Sequence, residues 1–325
     1  MIAIQRYRGD EIRQWDQFVD HCRNATFLHK RGYMDYHSHR FQDHSLMAYR
    51  NGKLVALLPA NEVSDVIYSH QGLTYGSWLV PLKHFDATVM VEVMDAACEY
   101  LREQGFKKLV YKPIPHIYHS YPCEEDLYAL FRQHAKLIEV NISTTIALGQ
   151  PLAFDRGNKS GLNVARKAGV IVGKSDDWSA YWVMLNNVLT DRHHAKPVHT
   201  LEEILLLYGR FPHHIALYTA SFTTNALQGT SQQDSQLPIA GVVMFYTGTC
   251  AHCQYIASSP VGYEHKALTL LFDYLIREAK TRGCKYFDFG ISNEEHGRVL
   301  NGGLVQQKSR LGGRGIAYNV FEIDL

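Results

Sequence analysis

Five groups able to do chemistry lie within two dozen residues near the C-terminus: Asp288, Ser292, Asn293, His296 and Lys308. A carboxylate there could orient or deprotonate an amine, a hydroxyl or amide could donate to a carbonyl oxygen, and an ammonium could neutralise a phosphate or carboxylate. Each also has a plain structural reading: Asp288 caps a turn, Ser292 and Asn293 cap a short helix, and Lys308 is a surface lysine. A second set is Arg192, His193 and His194, in the polar segment 190–200, as base and anion anchor or as a solvated loop. Arg166 and Lys167, on the basic segment Asn158–Ala168, suit phosphate or nucleic-acid contact, or simply face water. Tyr75, beside Gly72 and Gly76, either lines an acceptor pocket or packs; Lys112, before Pro113, poses the same choice.

Other chemistries find little support. There is no Gly-x-Ser-x-Gly elbow, and Cys284 sits in a core-like pattern, so a covalent nucleophile is not indicated. The 18 histidines show no H-E-x-x-H spacing. Cys250-Ala-His-Cys253 has no second Cys pair and reads as a hairpin turn with incidental thiols, so no metal is expected.

The elements that must position these groups follow from periodicity. Asp288 ends the alternating segment Lys285–Phe289, a strand broken at Gly290, with a polar loop and then helical spacing from Val299 to Gly312. Met90, Val93, Met94, Ala97 and Leu101 mark an amphipathic helix stopped at Gly105; Leu268, Leu271, Phe272, Leu275 and Ala279 mark another stopped at Gly283. Asn51-Gly52 between two apolar runs signals a hairpin. The order hairpin, strand, long helix, glycine, strand occurs twice, with the glycines 178 residues apart. The chain therefore reads as two copies of one α/β (α+β) domain, 1–150 and 151–325, each a mixed, mostly antiparallel sheet flanked by helices.

A net charge of +1 gives no global pull towards DNA or an anionic surface. No apolar run approaches the ~20 residues that span a bilayer, so stable membrane insertion is not expected. Scattered cysteines and an N-terminus without a signal-like apolar core point to the cytoplasm.

The element order of the second copy resembles the GNAT acyltransferase fold. The tandem pair, with a last region reading FGIS…G…LNGGL…K…GG…Y, resembles the Fem-type family of non-ribosomal peptidyltransferases and their acetyltransferase-like relatives. Leu73–Gly76, Tyr111–Pro113, Asn163–Gly169 and Ser258–Pro260 are further points of likeness. The resemblance implies transfer of an acyl or aminoacyl group to a small-molecule or peptide amine, such as a cell-envelope precursor. It implies no tightly bound cofactor and a donor that is acetyl-CoA or aminoacyl-tRNA, the latter making tRNA a partner. The first copy would hold the acceptor; the second would hold the donor and carry Asp288, Ser292, Asn293 and Lys308. One departure is plain: His70–Gly76 and Ser258–Glu264 both lack the Arg/Gln-x-x-Gly-x-Gly/Ala turn that cradles the coenzyme A pyrophosphate. Fem-type proteins lack it too. An acetyl-CoA-dependent N-acetyltransferase and a catalytically silent peptide- or glycan-binding module remain as alternatives.

Overall fold

The computed structural model describes residues 1–193, 195–223 and 237–325, with Arg192 and His193 described by their backbone alone. The chain divides into two compact units. The first comprises Met1–Ile142, Asn293–Leu300 and Ile316–Leu325; the second comprises Ser143–Ser292 and Asn301–Gly315. No described helix is long and apolar enough to cross a membrane.

The first unit opens with β1 (Ile2–Arg6), α1 (Ile12–Asp20), α2 (Arg31–Met34), β2 (Gln42–Asp43), β3 (Leu46–Arg50) and β4 (Lys53–Leu58). Strands β1, β3 and β4 form an antiparallel sheet. Its tight turn is Asn51-Gly52, both at positive φ (51° and 75°), as a two-residue hairpin loop requires. Next come β5 (Asn61–Val63), β6 (Val66–Tyr68), α3 (Ala87–Glu103), β7 (Lys108–Tyr111), α4 (Glu125–Arg132) and β8 (Lys136–Ala147). Asp86 caps α3 by accepting from the N–H groups of Thr88 and Val89. The helix buries Val89, Met90, Val93, Met94, Ala97, Cys98 and Leu101. Each of the larger side chains contributes about 1.5–3 kcal/mol by leaving water.

The second unit contains α5 (Arg156–Lys167), β9 (Val170–Ser175), α6 (Trp178–His193), α7 (Leu201–Arg210), β10 (Ile215–Phe222), β11 (Ala240–Tyr246), β12 (Cys250–Ser258), α8 (Pro260–Glu264), α9 (Ala267–Thr281) and β13 (Tyr286–Ile291). Strands β9 to β12 run antiparallel in sequence order, β12 and β13 are parallel, and β13 pairs antiparallel with residues Ser143–Ala147 of β8. Then follow the small pair β14 (Asn293–Glu294) and β15 (Val299–Leu300), α10 (Gly302–Arg310) and β16 (Arg314–Asp324). The segment expected to be a polar loop is thus a two-stranded hairpin, and the helix starts at Gly302, where Asn301 accepts from Leu304 N–H.

Both units contain the same strand–helix–strand element. In the first, β6 pairs parallel with β7 through Val66–Lys108, Ile67–Leu109 and Tyr68–Val110. In the second, β12 pairs with β13 through Cys250–Tyr286, Ala251–Phe287 and His252–Asp288. Each helix ends in the same double hydrogen bond around a left-handed glycine. Gly105 and Phe106 N–H reach Arg102 and Leu101; Gly283 and Cys284 N–H reach Lys280 and Ala279. At both glycines φ is positive (88° and 80°) and a Cβ would meet nothing within 4 Å. Gly283→Ala therefore costs backbone strain alone, about 1 kcal/mol in urea unfolding, and Gly283→Asn costs less.

Candidate active site

The second unit concentrates its polar burial where β12 and β13 stop pairing. His252–Asp288 is the last pair of their parallel ladder. Asp288 is 0% exposed. Its Oδ1 accepts from Ser143 Oγ and Thr145 Oγ1, both at 2.6 Å, and its Oδ2 faces His252 Nδ1 at 2.7 Å. Ser143 and Thr145 sit two apart on β8, so strand alternation turns both hydroxyls to one face. Burial alone would raise the Asp288 carboxyl. The bond and charge of His252, with the two hydroxyls, outweigh it and hold the group below its ordinary value.

A charged carboxylate facing Nδ1 sets the orientation of the His252 ring: Nδ1–H donates to it. The His252 side chain is 15% exposed, so a ligand can reach the ring. Just beyond, the β11–β12 register shifts between Val243 and Met244, whose partners are Tyr255 and Cys253. Such a bulge bends a strand and is one way to re-aim a side chain.

Lys308, on α10, is 5% exposed. Its Nζ donates to the carbonyls of Gly290 and Ile291, both at 2.8 Å, and to Ser292 Oγ at 2.9 Å. Burial lowers its amine to about 8, against the opposing pull of Asp288 and Cys253. Three acceptors use all three N–H bonds of the ammonium. Lys308 and Ser292 therefore fasten the C-terminal end of β13.

A cleft of about 350 Å³ lies at the far end of β12, lined among others by Asn158, Ser258, Lys266, Thr269, Gln307 and Arg310. No side chain caps the N-terminus of α9, and Lys266 immediately precedes it. Arg310 is drawn to Asp155 at 3.7 Å. The start of a helix with a cation beside it suits a phosphate.

The remaining candidates stand elsewhere. Asn293 belongs to the first unit, where it donates to Asn141 Oδ1 and accepts from Ile142 N–H. Tyr75, also in the first unit, is buried, its ring 4.4 Å from that of Tyr118. Lys112 donates to Leu73 O. Arg166 and Lys167 are exposed on α5, Arg166 3.6 Å from Asp273. His194 and the side chains of Arg192 and His193 lie outside the described residues.

His252 was missed in the sequence because the Cys250–Cys253 segment was read as a turn, and Ser143 and Thr145 because only strand register brings them to Asp288. The turn closes earlier: Thr247 Oγ1 accepts from Cys250 N–H, and Thr247 N–H donates to Cys250 O. Cys250 to Cys253 are strand residues, and both thiols are buried. The available signal was a lone polar His in an apolar strand, in register with Asp288.

Residues 159–298 match the family model of the acetyltransferase (GNAT) domain. The crystal structure of FemX has TM-score 0.69 at 12% identity, covering 99% of this chain and 97% of that one. L-PGS from Bacillus licheniformis has TM-score 0.60 at 10% identity, covering 98% and 92%. The tandem GNAT protein from the clavulanic acid biosynthesis pathway has TM-score 0.50 at 11% identity, covering 100% and 98%. No curated protein matches the chain in sequence. These likenesses establish the fold: a mixed α/β chain of tandem GNAT type.

Asp288→Asn sets an amide against three donors and costs about 2–3 kcal/mol at pH 7 in urea unfolding. The folded carboxyl titrates below its unfolded value of ~3.9, so its stabilisation is complete above about pH 5. It is lost as pH falls through the folded value, and the gap between wild type and variant closes in acid.

Proposed function

We propose that this chain is an acyltransferase that moves an acyl or aminoacyl group from a phosphate-bearing donor to an amine. The observation that carries this reading is the His252–Asp288 pair, an imidazole held by a buried carboxylate where the parallel pairing of β12 and β13 ends. His252 Nε2 takes a proton as the amine attacks the donor carbonyl, and Asp288 stabilises the imidazolium that forms. The new C–N bond replaces the carbonyl carbon's bond to the donor's sulfur or oxygen, and the proton passes to that leaving group. Lys308 and Ser292 act as positioning residues: they hold the strand end that frames the opening. The phosphates of the donor lie in the cleft by Lys266 and the start of α9.

Between the two donors, aminoacyl-tRNA is favoured by α5. Arg156, Lys159, Arg166 and Lys167 lie exposed on a helix without a single acidic residue, beside a cleft that lacks the coenzyme A turn. Acetyl-CoA is the second reading, favoured by a cleft of small-molecule size. The acceptor is the amine of a cell-envelope precursor or small metabolite.

His252→Ala should slow transfer about 10²–10⁴-fold from whichever donor the wild type uses, while the donor's stabilising effect on thermal melting persists. An unchanged rate in His252→Ala overturns the assignment of the base. Arg166→Glu with Lys167→Glu should abolish salt-sensitive tRNA binding under the first donor reading and leave acetyl-CoA binding intact under the second. A wild type that binds a peptide or glycan, yet transfers from neither donor, would instead be a binding module.

A further inference from the structure

The first unit holds an ammonium that forms no ion pair with the described carboxylates of its own fold. Lys112 directly follows β7, at the carboxyl end of the β6–β7 parallel pair. Its Nζ makes one hydrogen bond among the described residues, to Leu73 O, and it forms no ion pair among them. Burial lowers this amine to about 8 and Glu139 pulls the other way, so at neutral pH it is still mostly charged. Glu139 is itself engaged by Asn141 Nδ2 at 2.7 Å and by His296 Nδ1 at 3.1 Å. Charges taken out of water are ordinarily paired; this half-buried ammonium has no described carboxylate at ion-pair distance, and Glu139 acts on it only from farther away.

The backbone around Lys112 is held firmly. Ser69 Oγ accepts from Lys112 N–H at 2.7 Å, and Gly76 N–H donates to Lys112 O at 3.0 Å. Asn61 and Gln71 bond each other twice, Nδ2 to Oε1 at 2.9 Å and Gln71 N–H to Asn61 Oδ1 at 2.7 Å. His70 adopts the left-handed conformation (φ 56°), and a Cβ on Gly72 would lie 2.2 Å from His37 Nε2. Burial, then the charges of His37 and Lys112, keep His70 well below its ordinary value, so it adds no second cation at neutral pH. Lys112 is half-buried, and Gln71 and Thr74 of the same loop are exposed, so a ligand can approach. A hydrogen-bonded loop at the carboxyl end of parallel strands, with an ammonium that makes one hydrogen bond and no ion pair among the described residues, is a preorganised place for an anion.

We propose that Lys112 anchors the anionic group, a carboxylate or a phosphate, of a small ligand bound by the first unit. This is a second binding site, and it does not depend on acyl transfer in the second unit. The test is thermal melting of the full chain at pH 7 in sodium phosphate, sodium acetate or sodium chloride at matched ionic strength. Phosphate or acetate should raise the wild-type Tm by roughly 2 °C or more over chloride at about ten times its dissociation constant. Lys112→Met should lose that increment, whereas Lys83→Met, an exposed lysine of the same unit, should retain it. Should Lys112→Met not fold, Lys112→Gln is read in its place. Which of the two anions acts identifies the group recognised. Equal increments in wild type and the Lys112 variant, or none in wild type with either anion, would overturn the proposal.

Discussion

Taking a carboxylate out of water is among the most expensive things a fold can do, and the second unit does it at Asp288. The cost is met by directed donors: two hydroxyls from β8 and one imidazole from β12 converge on a carboxylate of β13. Three neighbouring strands are tied at one point. The same bonds that make burial tolerable also orient the His252 ring. Satisfying the carboxylate and orienting the imidazole are one arrangement here, and neither can be altered alone.

The two strand–helix–strand elements show how a repeated scaffold divides its labour. Their helices end in the same glycine-centred bonds and their parallel strands share one register, so equivalent positions are unambiguous. Where the second unit places His252 and Asp288, the first places Tyr68 and Val110. No acid–base pair is possible there. The position of Gly290 is held in the first unit by Lys112. One scaffold thus presents an imidazole held by a carboxylate at its strand ends, and the other an ammonium.

Much of the architecture was legible in the sequence because it rests on local rules. Asn51-Gly52, the periodic faces of α3 and α9, and the stopping glycines Gly105 and Gly283 each carry their own physical signal. Asp288, Ser292 and Lys308 were visible as chemistry near a strand end. Their partners were not. Ser143 lies 145 residues from Asp288 and His252 lies 36 away, and only strand register brings them together. The turn between β11 and β12 was placed at Cys250–Cys253 because the Cys pair looked like turn material, whereas β12 begins at Cys250 and Thr247 Oγ1 closes the turn by accepting from Cys250 N–H.

That threonine turn has a consequence for length as well as identity. Side chains alternate faces along β12, so inserting or deleting one residue between Tyr246 and Cys250 invites a one-step slip of the strand. The slip would turn the imidazole of His252 to the opposite face and bring a small alanine or a thiol towards the carboxylate. Every side chain would be retained, and the site would be empty of its imidazole. The size of a three-residue loop is therefore a chemical parameter of this protein, as binding on its sequence as the histidine itself.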